Sequence, residues 1–515
     1  MKSGKVYKLL FTSLLLLSQF IPQKITAQKF EPNLKSIAEN YQCPEWFRDA
    51  KFGIFMHWGI MSSIDENRQY GGSWYAKYMY GPGEGDSKKD SIGAAKVMAW
   101  HIKRYGDLNK FGYKNFIPLF KAEKWNPDSL VSFYKEIGAK YIVPVAVHHD
   151  NFDMYKSMNP WNSYNMGPKK DILKGWKEAA DKYGLRFGVS SHVDRAPFFL
   201  KTARKYDGAD PKYADFYCSN YKIDFEKDDK WMKYWFLRTK EIIDNYKPDL
   251  IYFDGGIPGN QGKMNYGYEL AAHYYNESMK NHNGKLEAVL NLKYGHDKRA
   301  FVWDIERGQS EFLRADPWQT DTDIQRSGWF YWKCDNGFTA DLLVGNLIDI
   351  VSKNGNLLLN VGLRSDGTLP ENQIALLREI GAWLKVNGEG IYGTRPWFVY
   401  GEGTTKTQAG SFKEQRSSYT AQDIRFTTKG GYLYAFVLNT PTKEVSIKSL
   451  SSTLTLIGKI NEIQMLGSNE KIKFERTADA LIIQLPSTLQ SKYALCFKLK
   501  LDETNVPTYE VKLKE

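Results

Sequence analysis

The chain has 515 residues, 42% hydrophobic and 15% aromatic, which is too long for one ordinary core, so one large domain and a smaller one are expected. The net charge of +12 is spread along the chain among acidic residues with no arginine-rich block, which argues against a nucleic-acid partner and leaves attraction to acidic glycans open. The four cysteines (Cys43, Cys218, Cys334, Cys496) lie far apart and form no Cys-x-x-Cys pair, so a zinc cluster or disulfide scaffold is unsupported, while an isolated bridge stays open.

In chain order, Lys2, Lys5 and Lys8 precede an apolar run from Leu9 to Leu17 and then small Ala27. This is the layout of a cleavable secretion signal over residues 1–27, too short for a membrane span. The expectation is an exported protein, periplasmic in a Gram-negative cell and otherwise secreted, with no membrane insertion. Phe52–Gly59 reads as a strand ending in His57 and Trp58, followed by a glycine- and aromatic-rich loop that holds Trp74 and Tyr75. A helix follows, with Asn126 as cap, Pro127 in its first turn and Gly138 at its end. The strand Tyr141–Val147 then runs into His148, His149, Asp150 and Asp153. A helix over Ile172–Tyr183 ends at Gly184, and the strand Phe187–Ser190 exits at His192.

The spacing predicts another helix over Trp231–Tyr246 and a buried strand over Leu250–Phe253, which delivers Asp254 and two glycines at its end. Further strands are expected at Ala288–Leu292, Phe301–Ile305 and Leu357–Val361. Strand and helix alternate with polar residues gathered at strand ends, which argues for an α/β fold, a β/α barrel over residues 28–396. No Gly-x-Gly-x-x-Gly turn supports the rival open sheet. After the helix Glu371–Val386, short β-rich runs (Tyr432–Leu438, Val445–Leu450, Leu454–Ile460, Ala480–Leu485, Tyr493–Leu499) predict an antiparallel β-sandwich over 397–515.

Two carboxylates are the minimum for cutting a glycosidic bond, one ionised and one able to give a proton. Asp254 is the candidate for the first and Glu306 for the second. Arg307 beside Glu306 would lower its pKa if the two paired directly. His57, His148, His149 and His192 are half of the chain's eight histidines and all stand at strand ends. They suit sugar hydroxyls, and the reading favours sugar over a metal ion.

These residues lie in ordered blocks: Trp46 through His57-Trp-Gly, Phe116 through Trp125, His148-His-Asp-Asn-Phe, Phe253-Asp-Gly, Trp318-Gln-Thr-Asp-Thr, and Asn354 through Asn360-Val-Gly. With them the chain resembles the family 29 glycoside hydrolases, the retaining α-L-fucosidases, over nearly all of its length beyond the leader. The resemblance implies a (β/α)8-like barrel followed by a β-sandwich, no metal or organic cofactor, and a fucosylated oligosaccharide or polysaccharide as substrate. It implies Asp254 as nucleophile and Glu306, in its Glu-Arg-Gly block, as acid/base. His57, His148 and His149 are then ligands of the sugar hydroxyls, Trp74 a pocket aromatic, and Trp329 a wall for the apolar face of the sugar; Tyr75 and His192 join the expected substrate-binding set. Three positions depart from the family pattern. Gln319 and Ser73 stand where some or many members carry glutamates, and Lys293, also expected at the substrate, stands where an arginine often lies. An α-L-galactosidase or other hydrolase of fucose-like sugars, and a catalytically weak glycan-binding protein, remain rival readings.

Overall fold

The computed structural model describes residues 30–259, 264–294, 297–326, 328–333, 337–455, 458–489 and 491–502. The expected signal segment and Cys334 lie outside the described residues. Strands β1 (Phe52–His57), β2 (Tyr141–Val147), β3 (Arg186–Ser191), β4 (Leu250–Phe253), β5 (Val289–Leu292), β6 (Val302–Asp304), β7 (Trp318–Asp323) and β8 (Gly355–Gly362) close in chain order into a parallel barrel, with β8 paired back to β1. This is the expected (β/α)8-like architecture. Every residue of β1, β2, β4 and β8 is buried, as a strand covered on both faces requires. Gly53 makes room inside: a Cβ there would lie 2.4 Å from the Tyr141 ring.

Local signals set the helix ends. The Asn126 side chain accepts from Ser129 N at the start of the helix Pro127–Glu136. The helix Ile172–Tyr183 opens on Asp171 and closes on Gly184 in the left-handed conformation. The helix expected from Trp231 begins at Asp229, because the Asp228 carboxylate caps Trp231 N.

The sequence gives no strand signal for β7, whose Gln319, Thr320, Asp321, Thr322 and Asp323 are all polar, yet all are buried. Three of them find polar partners on other barrel strands. Tyr141 Oη donates to Gln319, Tyr252 Oη to Asp321, and Asn360 Nδ2 to Asp323.

The C-terminal part is built from two antiparallel sheets, as expected. One has the order β13-β16-β11-β10-β9 and the other β12-β15-β14. The strands are β9 (Arg395–Glu402), β10 (Ile424–Lys429), β11 (Tyr432–Val437), β12 (Glu444–Ile447), β13 (Ile460–Met465), β14 (Phe474–Arg476), β15 (Leu481–Gln484) and β16 (Leu495–Leu501). Trp397, Phe426, Ile447 and Phe497 fill the space between them. The strand expected over Leu454–Ile460 instead begins at Ile460. Residues 456–457 of the expected strand lie outside the described residues, and β13 itself carries a register shift between Ile460 and Glu462.

The helix Ala340–Ser352 lies between the barrel and these sheets and is buried nearly throughout. Its Asp349 accepts from Lys353 Nζ at 2.8 Å and from Arg425 Nε of β10 at 2.6 Å, tying the two parts together. Among the described residues Cys43, Cys218 and Cys496 are free thiols, and no helix is long and apolar enough to cross a membrane.

Candidate active site

The C-terminal ends of six successive strands deliver seven polar side chains to a common cavity of about 190 Å³. His57 closes β1, His148 and His149 follow β2, His192 follows β3, Asp254 follows β4, Lys293 follows β5, and Glu306 follows β6. In a parallel barrel this rim is where reacting groups gather. A larger groove of about 660 Å³ runs past Asn126, Phe133 and Glu371 and holds none of these residues.

Asp254 is held from three directions. His149 Nε2 lies 2.9 Å from Oδ2, His192 Nδ1 lies 3.6 Å from the same oxygen, and Lys293 Nζ donates to Oδ1. The His149 ring is itself fixed by its Nδ1, 2.5 Å from the carbonyl of His192. Arg195 donates to the main-chain carbonyl of Asp254 at 2.7 Å. Gly255 permits that approach, since a Cβ there would lie 2.8 Å from the guanidinium. Burial alone would raise the Asp254 pKa, but the Lys293 ammonium, the hydrogen bond from His149 and the nearby His192 outweigh it. The carboxyl is held well below its usual range.

Glu306 has the opposite bias. Burial pushes its carboxyl up to about 7 against the pull of Lys293, and the nearby Asp321 and Asp254 carboxylates add to the rise. Lys293 Nζ donates to Glu306 Oε2 at 2.6 Å, and the two carboxylates hold the ammonium above its ordinary pKa against the effect of burial. Two oxygens bound to one nitrogen cannot lie further apart than two hydrogen bonds, about 6 Å. That fits the close spacing of a covalent double displacement better than the wider gap an inverting water needs. Arg307 does not pair with Glu306. Its backbone takes a positive φ of 46°, and the guanidinium turns to Glu414 at 2.8 Å and to the Arg326 carbonyl at 2.8 Å.

The remaining imidazoles form a neutral wall. Burial lowers His57 and His148 well below the ordinary histidine range and brings His192 to about 4 in spite of Asp254. His57 Nδ1 lies 2.8 Å from Asn360 Oδ1, and its ring stacks on Trp329 at 5.1 Å. His148 Nδ1 is buried without a hydrogen-bond partner in the protein. Trp329 is fastened through its backbone: its N–H donates to Ser73 Oγ at 2.6 Å, and its carbonyl accepts from Asn360 Nδ2 at 2.8 Å. Trp74 stands on the rim, 39% exposed. Donor atoms within 4.8 Å of one another occur in the trio His57, His148 and His192, and in His149, His192 and Asp254. Such trios suit a transition metal, and the same donors and acceptors suit the hydroxyls of a sugar.

Tyr75 is a correction. It is fully buried behind Trp74, with its hydroxyl 2.8 Å from His101 Nδ1 and its ring packed edge-on to Phe116. On the short helix Tyr75–Tyr78 adjacent side chains diverge, so the Trp-Tyr pair places one ring at the cavity and the other in the core. Gln319 is likewise buried away from the cavity, donating to Asp304 at 2.8 Å. Sequence reasoning missed Arg195, Tyr252, Tyr294, Asp321 and Phe412 as lining residues. Asp321 lies inside a quoted block and Arg195 closely follows His192, so both had a positional signal. Phe412 had none.

A family model described as Alpha-L-fucosidase matches residues 17–389, and one described as Alpha-L-fucosidase C-terminal domain matches residues 415–501. Tissue alpha-L-fucosidase of Bos taurus is 26% identical over 490 residues, covering 92% of this chain and 91% of that protein. Plasma alpha-L-fucosidase of Homo sapiens is 28% identical over 478 residues, covering 90% and 89%. A solved alpha-fucosidase of Thermotoga maritima superposes with a TM-score of 0.70 at 26% identity, and its complex with fucose gives 0.70 at 27%; each pairing covers 92% of this chain and 100% of the other.

Proposed function

The chain belongs to the alpha-L-fucosidase family, and from that premise we propose that Asp254 and Glu306 hydrolyse terminal α-L-fucosyl residues of glycans by double displacement. The observation that carries the assignment is the unequal pair on Lys293: one carboxyl held ionised, the other pushed up to about 7, within two hydrogen bonds of each other. Asp254 attacks the anomeric carbon while Glu306 gives its proton to the departing oxygen. Glu306 then takes a proton from the water that releases the sugar. The neutral imidazoles of His57 and His148 present donors and acceptors to the hydroxyls, and the Trp329 face supports the apolar side of the ring. The small cavity supports action on one terminal residue. The apolar run behind Lys2, Lys5 and Lys8 supports export, which the mass of the mature N-terminus checks.

The test is turnover of 4-nitrophenyl α-L-fucoside by the parent, Asp254→Gly and Glu306→Ala, each variant with azide added. The expected products are β-fucosyl azide from the Asp254 variant and α-fucosyl azide from the Glu306 variant. Parental activity in Glu306→Ala would move the acid/base role to another carboxyl.

A further inference from the structure

The acid that protonates the glycosidic oxygen must lie beside the group that leaves, so the reading of Glu306 as acid/base also fixes the side on which the leaving sugar sits. One residue on that side, Phe412, comes from the C-terminal part of the chain. Between β9 and β10 the chain crosses to the barrel mouth and is fastened there by its backbone. Gly410 N donates to the Gln309 carbonyl at 3.2 Å, Phe412 N to the Glu306 carbonyl at 2.8 Å, and Glu414 N to the Arg307 carbonyl at 2.9 Å. The Glu414 side chain, buried, clamps the far end through Arg307 and accepts from Thr322 Oγ1 at 2.6 Å.

This strap presents one apolar side chain to the site. Phe412 has a positive φ of 59°, a conformation that costs a residue with a Cβ about 1 kcal/mol, and its ring is 61% exposed. Neither strain nor exposure is explained by packing. The ring borders both the catalytic cavity and an adjoining groove of about 390 Å³. Trp74 borders both as well, and half-exposed Tyr70 lies further along the groove. The catalytic cavity thus opens into the groove between two rings, on the Glu306 side. A second adjoining cavity of about 520 Å³ opens past Arg195, Phe198 and Tyr294. Its wall residue Arg195 is bound to the main-chain carbonyl of Asp254, and Phe412, whose N–H is bound to the Glu306 carbonyl, does not border it.

We propose that the groove between Trp74 and Phe412 receives the leaving-group sugar, a pyranose whose C–H face stacks on Phe412, so that the C-terminal part of the chain helps select the glycan the barrel cuts. Phe412 is a specificity residue that acts on the aglycone, and it takes no part in bond breaking. The proposal rests on the assignment of Glu306 above.

The experiment compares kcat/KM for α-L-fucosyl fluoride, whose leaving group is a single atom, with kcat/KM for the best substrate among the 1→2, 1→3, 1→4 and 1→6 fucosyl disaccharides. Parent, Phe412→Ala, Phe412→Trp and Phe198→Ala are measured side by side. Phe412→Ala is expected to lower the disaccharide-to-fluoride ratio about tenfold, the value of one lost aromatic stack, and Phe412→Trp to restore it. Equal losses on both substrates would overturn the proposal, as would an unchanged ratio or a ratio that follows Phe198→Ala instead. A parent inactive on the fluoride and on every disaccharide would sink the assigned activity itself. Parental turnover by Glu306→Ala would remove the acid that places the groove, and the proposal with it.

Discussion

Asp254 and Glu306 share a single cation: Lys293 Nζ donates to one oxygen of each. One buried ammonium therefore sets two carboxyls to different states, since Asp254 also has His149 and His192 while Glu306 has two acidic neighbours instead. Lys293→Met removes the opposite charge from both. Glu306 should then rise beyond about 7, and kcat/KM at neutral pH should fall by about 10- to 100-fold, the equivalent of losing one charged hydrogen bond of about 1.5–3 kcal/mol. Lys293→Arg keeps the charge and should leave the position of the alkaline limb near that of the parent. The check is kcat/KM against pH for the three proteins, and an alkaline limb that does not move in Lys293→Met would show that the ammonium does not control Glu306.

The same bias gives the pH dependence of the parent a sign. Glu306 works as an acid in the first step, so activity needs it protonated and is lost as pH rises through about 7. Asp254 must be ionised, and its pKa is held well below the ordinary value, so the acid side stays flat through the usual carboxylate range. The alkaline loss should be steep for a fucosyl disaccharide and weak for α-L-fucosyl fluoride, whose leaving group needs no proton. Identical profiles for the two substrates would place the titrating group outside the proton-transfer step.

The contrast between β4 and β7 explains what the sequence made legible. Leu250–Phe253 is apolar and ends in Asp254, so its strand and its functional residue could both be read from local pattern. Trp318–Asp323 is polar because it faces the same crowded interior, where Tyr252, Tyr141 and Asn360 supply partners from distant positions. Local pattern fails where polar groups replace an apolar core, and it fails near the site for that reason. The strap fails differently. The pairing of Glu414 with Arg307 joins residues 107 apart, and nothing in either local stretch announces it.

The loop that carries His148 and His149 is anchored by a buried ion pair. Arg238 Nη2 donates to Asp153 at 2.5 Å and Nη1 to Asn151 Oδ1 at 2.7 Å, with both Arg238 and Asp153 almost fully buried. Arg238→Met would leave Asp153 without its countercharge in the core and should cost about 3–5 kcal/mol of stability. Because Asn151 holds a positive φ of 63° in that loop, the histidines should also lose their placement, so activity measured below the melting temperature falls too. Thermal unfolding together with kcat/KM at low temperature separates the two effects. A melting temperature within a degree of the parent would show that the pair contributes nothing net.

The Glu414 carboxylate fastens the strap to the barrel and at the same time keeps Arg307 from Glu306. It pairs with Arg307, accepts from Thr322 and meets Arg416 at 2.9 Å, all with its own side chain buried. Glu414→Ala strands the buried guanidinium of Arg307, which should cost about 3–5 kcal/mol. Arg307 also becomes free to turn toward its neighbour Glu306, where a positive charge lowers the acid's pKa. The alkaline limb should therefore move down in Glu414→Ala, opposite in direction to the shift in Lys293→Met. Thr322→Val removes only one hydrogen bond to the same carboxylate and should cost about 1 kcal/mol with no movement of the limb. Limited proteolysis should cut Glu414→Ala between residues 403 and 419 faster than the parent or Thr322→Val. If cleavage there is no faster and the limb stays in place, the strap is held by its backbone bonds to Glu306, Arg307 and Gln309 alone.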